Sequence, residues 1–188
     1  MVRILIRNLG PEAEQAGKRE QGIRLSKAGR ELLALGASRY YGITWESEKD
    51  REIQLETGRN RWGKPYLVRY PELHFNISHS GTFAACAFGD EPVGLDIQIC
   101  SDADFLKLAD RFFCHEDREL VRNAANIRQM FYRVWTKEES YAKWKGNGLA
   151  ENIGKTERQG VCSWFEPAEG IQGALWTGRQ EKLQISYV

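Results

Sequence analysis

The sequence predicts an α+β fold, because segments with the pattern of strands and segments with the pattern of helices occur in both halves of the chain. Strands are indicated where apolar and polar residues alternate, as they do at residues 2–7 and 73–78. A helix is indicated at residues 26–41, where apolar side chains recur at helical spacing. The turn GDEP, residues 89–92, predicts a boundary between an N-terminal half at 1–90 and a C-terminal half at 91–188.

The N-terminal half begins with the alternating strand. In the helix predicted at 26–41, Ser26 is placed to cap the start and Gly42 to end it. The apolar run FAACAF predicts a strand that is buried on both faces. The remaining elements of this half are a short strand at 52–57, a loop at 58–65 and the strand at 73–78.

The C-terminal half is predicted to open with the strand VGLDIQI at 93–99. Three helical patterns come next, near residues 103–110, 116–125 and 128–145. Three strand-like patterns complete the chain, near residues 161–166, 173–177 and 182–188.

Composition and charge narrow the class of protein. The 188 residues carry a formal net charge of +1, which argues against a general nucleic-acid binder because such proteins are usually distinctly basic. No apolar run approaches the roughly 20 residues that cross a bilayer, and the opening MVRILIRNLG is too short and too charged for a signal peptide. The 4 cysteines form no CxxC pair, which favours reduced thiols and a cytoplasmic location over a metal-cysteine site.

The strand VGLDIQI carries Gly94, Asp96 and Gln98 on one face, since successive side chains of a strand point to opposite faces. Two side chains with oxygen atoms thus lie side by side, and the glycine leaves room beside them. Magnesium prefers oxygen ligands, so this face is a candidate half of a metal site. The alternative, which ordinary strand alternation favours, is a polar face that contacts water.

The segment WTKEESYAKWKGNGL, residues 135–149, predicts a helix on which Trp135, Glu139 and Lys143 share a face. Glu138 points elsewhere. The pair Glu139 and Lys143 has the favoured i, i+4 orientation, and as a surface ion pair it would contribute about 0.3–0.5 kcal/mol. The aromatic residues of this helix indicate extensive packing, so a partly desolvated and functional pair is the competing interpretation.

Two further segments could hold phosphate. HFNISHSG, residues 74–81, offers hydroxyls, an imidazole and turn N–H groups, although a polar strand end with capping hydroxyls is the common alternative. GRNRWGKPY, residues 58–66, concentrates basic residues around Trp62, and a solvated basic loop is its default interpretation. A P-loop is rejected, because Pro65 follows Lys64 where a serine or threonine is required.

Five segments in this order and spacing resemble the larger, surfactin-synthetase-activating type of 4′-phosphopantetheinyl transferase. The segments are WGKPYL (62–67), HFNISHSG (74–81), VGLDIQ (93–98), RFFCHED (111–117) and WTKEESYAKWKGNGL (135–149). Each segment alone is weakly specific, whereas the ordered set is very specific. The resemblance implies two similar α+β halves related by a pseudo-twofold axis, with the active site in the cleft between them.

The resemblance also implies the reaction and its metal site. The family transfers 4′-phosphopantetheine from coenzyme A to a serine of an apo acyl or peptidyl carrier protein, with Mg²⁺ or with Mn²⁺ in its place. By resemblance, Asp96, Gln98 and Glu139 would hold the metal. Asp96, Glu139 and Lys143 would be the catalytic residues, with Glu139 as the base for the acceptor serine.

The resemblance assigns coenzyme A to Lys64, Pro65, Ser78, His79 and Lys143. It implies a monomer whose partners are coenzyme A and the carrier protein, while the net charge and the lack of a long apolar run argue against nucleic acid and membrane as partners. Two departures from the family matter. The family position of Gln98 is often a glutamate, so the site here has one less negative charge, and Ala34 aligns with a position that is often an arginine reaching the nucleotide phosphate. A catalytically impaired coenzyme A-binding module is therefore the alternative function.

Overall fold

The structure is a computed structural model that describes residues 1–188 and contains both helices and strands, as the sequence predicts. In chain order the elements are β1 (Val2–Asn8), α1 (Pro11–Gln15), α2 (Lys18–Tyr41), α3 (Glu48–Gln54), β2 (Thr57–Arg59), β3 (Pro65–Leu67), β4 (His74–Ser80), β5 (Phe83–Gly89), β6 (Val93–Ile99), α4 (Phe105–Phe112), α5 (His115–Arg122), α6 (Ile127–Lys145), β7 (Val161–Ala168), β8 (Ile171–Thr177) and β9 (Leu183–Tyr187).

The first sheet has the strand order β4-β5-β1-β9. Strand β1 is antiparallel to β5 and parallel to β9. The last strand of the chain therefore lies in a sheet whose other strands come from residues 2–89. The division predicted between residues 90 and 91 stays a prediction, and β9 is the element that crosses it.

The second sheet has the strand order β6-β8-β7 and is antiparallel throughout. It packs face to face on the first sheet through a shared apolar cluster. Ile4 and Ala87 contribute to this cluster from the first sheet, and Leu95 and Leu175 contribute from the second. Because all four are fully or almost fully buried, the two sheets form one continuous core.

A long helix covers the outer face of each sheet. Helix α2 packs on the first sheet through a cluster that includes Leu32, Leu5 and Phe88. Helix α6 lies on the second sheet, where Gly94 of β6 meets its backbone. The layers therefore follow the order α2, first sheet, second sheet, α6.

Two predictions for the N-terminal half are wrong. Helix α2 begins at Lys18, so Ser26 lies inside it, and its N-cap is Gly17. The predicted strand at 52–57 is instead helix α3, because the Ser47 side chain accepts a hydrogen bond from the Asp50 N–H and starts a helix. The prediction that Gly42 ends α2 is confirmed, since this residue has the left-handed φ of 69° that favours glycine.

The other predicted elements are confirmed within a few residues at their ends. The strands predicted at 2–7, 73–78 and 93–99 correspond to β1, β4 and β6. The predicted loop at 58–65 contains the turn of a small hairpin formed by β2 and β3. The three helices and three strands predicted after residue 100 are α4–α6 and β7–β9.

Candidate active site

The site forms where helix α6 crosses strand β6. A Cβ atom on Gly94 would lie 2.0 Å from the Ser140 carbonyl oxygen and 2.4 Å from the Trp144 nitrogen. Only glycine therefore allows the helix to lie this close to the strand. Two residues further along the same face of β6, Asp96 is only 1% exposed. The polar face of β6 thus packs beneath α6 rather than contacting water.

Three of the predicted catalytic side chains meet at this crossing. The Lys143 ammonium donates a hydrogen bond of 2.6 Å to Asp96 Oδ1 and lies 3.8 Å from Glu139 Oε2. The side chains of Glu139 and Lys143 are 21% and 29% exposed. They therefore form part of a partly desolvated cluster that includes a buried carboxylate, rather than an isolated pair on the helix surface.

The electrostatics of this cluster suit a hard cation. Burial raises the pKa of Glu139, and the nearby Asp96 carboxylate raises it further, while Lys143 opposes both. Asp96 Oδ2 is buried without a hydrogen-bond partner. Two carboxylates share one ammonium, and a divalent cation with oxygen ligands would match both the excess negative charge and the unpaired oxygen.

Gln98 lies on the same face of β6 as Asp96 and is half-buried. Its amide oxygen accepts a hydrogen bond of 3.3 Å from the Ser80 hydroxyl. The structure contains no group of three or more His, Cys, Asp or Glu side chains that could share a metal. A metal at this site would therefore have two carboxylates and draw its remaining oxygen ligands from Gln98, water or substrate.

Ser78 belongs to a polar seam between β4 and β6. Along this seam the side chains of Asn76, Ser78 and Ser80 accept hydrogen bonds from alternate N–H groups of β6, at 2.9, 3.2 and 3.0 Å. The Ser78 hydroxyl also donates to Asp96 Oδ1 at 2.9 Å and accepts from Lys143 at 3.1 Å. The alternating polar residues in NISHS signal such a seam, but the sequence does not reveal which strand β4 will face.

His79 lies on the opposite face of β4 from Ser78 and is exposed. The structure therefore does not bring it together with Asp96, Glu139 and Lys143. Its role toward coenzyme A stays a prediction that depends on how the ligand extends from the cleft.

Lys64 reaches the end of helix α6. Its ammonium donates to the Trp144 carbonyl oxygen at 3.1 Å, and burial lowers its pKa from 10.5 to about 8. Asn60 donates a second hydrogen bond of 2.8 Å from the same loop to the Gly146 carbonyl oxygen. The loop at 60–64 is thus tied to the C-terminal end of α6, where carbonyl groups lack partners within the helix.

These elements enclose a cleft of about 250 Å³. Four of the predicted site residues line it, namely Lys64, Pro65, Glu139 and Lys143. The remaining lining residues are Trp62, Gly63, Asn76, Ile77, Ala142, Gly146, Gly148 and Leu149.

A buried cluster of charges on helix α6 could not be predicted from the sequence. Glu138 is fully buried and forms an ion pair with Arg158, whose side chain is 9% exposed. Asp117 and Lys137 complete the cluster. The direction of Glu138, away from Glu139, follows from helical spacing, but no local pattern marks its partner 20 residues later.

Comparison with known proteins gives a consistent result. Residues 92–188 match the 4′-phosphopantetheinyl transferase superfamily. The chain is similar to 4′-phosphopantetheinyl transferase Sfp of Bacillus subtilis (strain 168), with 37% identity over 53% of this chain and 47% of the relative. It is also similar to 4′-phosphopantetheinyl transferase gsp of Aneurinibacillus migulanus, with 33% identity over 76% of this chain and 58% of the relative.

A more distant relative is the L-aminoadipate-semialdehyde dehydrogenase-phosphopantetheinyl transferase of Homo sapiens, with 29% identity over 82% of this chain and 53% of the relative. The chain thus spans about half the length of the curated relatives it matches. None of its helices is both long enough and apolar enough to cross a membrane.

Proposed function

The chain belongs to the 4′-phosphopantetheinyl transferase superfamily, and from that premise we propose that it modifies carrier proteins. It transfers the 4′-phosphopantetheine group of coenzyme A to a serine of an apo acyl or peptidyl carrier protein and releases adenosine 3′,5′-bisphosphate. The observation that carries this proposal is the meeting of Asp96, Glu139 and Lys143, because Glu139 and Lys143 also line the cleft. Phosphoryl-type transfer needs this kind of charged and positioned site.

In the proposed architecture, residues 1–90, which include α2, and residues 91–188, which include α6, form two halves related by a pseudo-twofold axis. Coenzyme A lies in the cleft between them. Residues 62–65 and 76–77 line the cleft from the N-terminal side of the chain, and residues 139–149 line it from the C-terminal side. This distribution supports the proposal that the two halves, 1–90 and 91–188, build the site jointly.

In the reaction, the carrier serine oxygen attacks the β-phosphorus of coenzyme A. The bond from that phosphorus to the bridging oxygen breaks, and the bridging oxygen leaves with the adenosine bisphosphate. A neutral serine hydroxyl is a poor nucleophile, so Glu139 accepts its proton directly or through water. The Lys143 ammonium stabilises the negative charge that develops on the phosphate oxygens.

Asp96, Glu139 and the amide oxygen of Gln98 are the residues that would hold Mg²⁺, or Mn²⁺ in its place. When bound, the cation neutralises the pyrophosphate and polarises the phosphorus. The unpaired Asp96 Oδ2 supports this assignment. Ser78 and Lys143 fix the other oxygen of Asp96, so the carboxylate is already oriented.

Lys64, Pro65, Ser78 and His79 complete the proposed coenzyme A site. Lys64 and Pro65 line the cleft directly, and Lys143 contacts the phosphates. The exposed His79 would reach the ligand only where it extends beyond the cleft. Ser78 would contribute chiefly through Asp96, because its hydroxyl already has three polar neighbours.

The proposed setting is a cytoplasmic monomer that binds neither nucleic acid nor membrane. The net charge of +1 argues against nucleic-acid binding, because nucleic-acid-binding proteins are usually distinctly basic. All four cysteines are free thiols, which suits a reducing compartment. Sedimentation equilibrium measures the mass in solution, and a value near twice 21.6 kDa would contradict the monomer.

The test is to incubate the purified protein with coenzyme A, Mg²⁺ and a panel of apo acyl and peptidyl carrier proteins, and to weigh the carriers by intact-mass spectrometry. We expect one carrier to gain a single phosphopantetheine group and the gain to disappear when the metal is chelated. Coenzyme A binding without modification of any carrier would contradict the proposal and favour an impaired coenzyme A-binding module. The first residue to test as the cause would then be Gln98, which stands where the family often has a glutamate.

A further inference from the structure

A cluster of four charged side chains lies where helix α6 meets α5 and the segment that follows α6. Glu138 precedes Glu139 on helix α6, and neighbouring positions on a helix point about 100° apart. Glu139 therefore lines the cleft, whereas Glu138 is turned into the protein and is 0% exposed. A buried carboxylate is costly unless it is paired and hydrogen-bonded, so its partners indicate what this position requires.

The partners of Glu138 come from the segment that follows helix α6. Its Oε2 accepts a hydrogen bond of 2.8 Å from the Gly154 N–H, and its Oε1 accepts one from the Arg158 guanidinium. Arg158 also lies 3.6 Å from Asp117, which accepts a hydrogen bond of 2.6 Å from Lys137. Two carboxylates and two cations thus balance, and together they join α5, α6 and the segment after α6.

That segment, residues 146–160, contains no helix and no strand. No ladder of backbone hydrogen bonds to a neighbouring strand fixes it, although ordering such a segment costs backbone entropy at every residue. Its place in the fold therefore depends on individual anchors. Glu138 supplies anchors at residues 154 and 158.

The beginning of the same segment forms the cleft wall. Gly146, Gly148 and Leu149 line the cleft, and Gly146 contacts the loop that carries Lys64. The buried side chain of Asn152 donates a hydrogen bond of 2.5 Å to the Gly148 carbonyl oxygen. Asn152 thus holds the segment at Gly148. Glu138 holds it further along the chain, at Gly154 and Arg158.

We propose that Glu138 and Arg158 are positioning residues, which hold the segment 146–160 as one wall of the coenzyme A cleft without contacting the ligand. The inference rests on the proposed function, because it takes coenzyme A as the ligand of the cleft. Helix α6 then has two roles on two faces, since Glu139 and Lys143 serve the reaction and Glu138 anchors the wall. Loss of the anchor weakens coenzyme A binding and leaves the reacting groups in place.

The variants Arg158→Ala and Arg158→Lys test this separation. In Arg158→Ala the KM for coenzyme A should rise about tenfold or more while kcat changes by less than about threefold, because binding rather than chemistry is affected. Arg158→Lys retains the positive charge and should recover part of the affinity. The control is Arg122→Ala, which removes an exposed ion pair with Asp110 and should leave both constants unchanged.

Hydrogen exchange provides a readout that does not require turnover. In Arg158→Ala the amides of residues 147–154 should exchange faster, while those of β1, β5 and β8 keep their protection. If this variant does not fold, Asn152→Ala removes an anchor of the same wall without leaving a buried charge unpaired. It should show the same faster exchange and a smaller rise in KM.

Failure of the proposed function and failure of the inference about the cleft wall give different results. If no carrier is modified by the wild type, the proposed function fails, and the dissociation constant of coenzyme A together with hydrogen exchange still tests the wall. Wild-type KM and wild-type exchange in folded Arg158→Ala and Asn152→Ala would overturn the inference. A fall in kcat at unchanged KM would overturn it as well, because the cluster would then serve the chemical step.

Discussion

The Ser78 hydroxyl has three polar neighbours, and they restrict what it can do. It donates to Asp96 Oδ1, accepts from the Ile97 N–H and accepts from Lys143. The resemblance assigned Ser78 to coenzyme A, whereas these contacts favour the orientation of Asp96. The two roles differ in whether substitution weakens binding or slows the reaction.

Replacement of Ser78 by alanine distinguishes these roles. We expect Ser78→Ala to lower kcat by about tenfold, the effect of losing one positioning contact of about 1.4 kcal/mol in the transition state, with little change in the dissociation constant of coenzyme A. The control is Ser26→Ala, at an exposed position of helix α2, which should leave both constants unchanged. A large rise in the dissociation constant of coenzyme A at unchanged kcat would instead indicate that Ser78 contacts coenzyme A directly.

A second prediction at the scale of residues concerns Lys64 and the pH dependence of stability, because burial lowers the pKa of Lys64 from 10.5 to about 8. Between these pH values the folded protein has released the proton and the unfolded chain still holds it. The free energy of unfolding therefore rises with pH across this window. The rise amounts to about 3 kcal/mol, since a pKa difference of one corresponds to about 1.4 kcal/mol.

The measurement is urea unfolding of the wild type and of Lys64→Met at several pH values from 7 to about 10.5. The difference in free energy of unfolding between the two proteins should increase in favour of the wild type as pH rises. The control is Lys145→Met, at an exposed position at the end of helix α6, and it should show no such increase. A constant difference for Lys64→Met would contradict the prediction.

At the scale of elements, the crossing of α6 and β6 depends on Gly94. A Cβ atom there would overlap the Ser140 carbonyl oxygen and the Trp144 nitrogen, so Gly94→Ala forces the helix away from the strand. We expect this variant to lose about 1–3 kcal/mol of stability, as overpacked sites do, and to lose most transferase activity because Glu139 and Lys143 move with the helix.

The same substitution elsewhere provides the control. Gly22 lies inside helix α2, and a Cβ atom there would meet nothing within 4 Å. Gly22→Ala should therefore raise the free energy of unfolding by about 0.5–1 kcal/mol, because alanine loses less backbone entropy in a helix. Equal stability of the two alanine variants would show that the close approach at Gly94 is not tight.

Some helices and strands could be predicted from local sequence patterns, and others could not. Strand β6 and helix α6 could be predicted, because their apolar periodicity is regular over many residues. Helix α3 could not, since none of its residues is buried and no apolar stripe marks it. The start of α2 could not be predicted, because the turns from Lys18 to Arg24 are mostly polar and contain none of the buried apolar residues that mark its later part.

At the scale of the whole molecule, the two sheets share one core. Ile4 of the first sheet and Leu95 of the second are both fully buried in the same cluster, and β9 returns to pair with β1. Helix α2 and the first sheet also share a cluster that includes Leu32, Leu5 and Phe88, but unfolding of either sheet would expose the apolar face that it shares with the other. We therefore expect a single cooperative unfolding transition.

Calorimetry and far-ultraviolet circular dichroism test this expectation, and their transitions should coincide. Leu95→Ala should lower the free energy of unfolding by about 2–5 kcal/mol, the usual cost of such a core truncation, while the transition stays single. Two separated transitions in the wild type would contradict the shared core.

The composition of the site shows the limit of sequence reasoning at this scale. Asp96, Glu139 and Lys143 could be proposed because strand and helix spacing place their side chains and the family resemblance joins the two segments. The seam from Asn76 to Ser80 and the pair Glu138–Arg158 could not, because each depends on which segments the fold brings together. Gly94 was expected to leave room on its strand, but the structure shows that α6 fills that room.

The most direct test of the central claim is the variant Glu139→Gln, assayed on the carrier protein that the wild type modifies. Intact-mass spectrometry would follow the transfer, and calorimetry would measure coenzyme A binding by the same preparation. We predict a folded protein that binds coenzyme A and transfers no phosphopantetheine, because the amide cannot accept the serine proton. Turnover close to that of the wild type would contradict the role of Glu139 and the chemistry built on it.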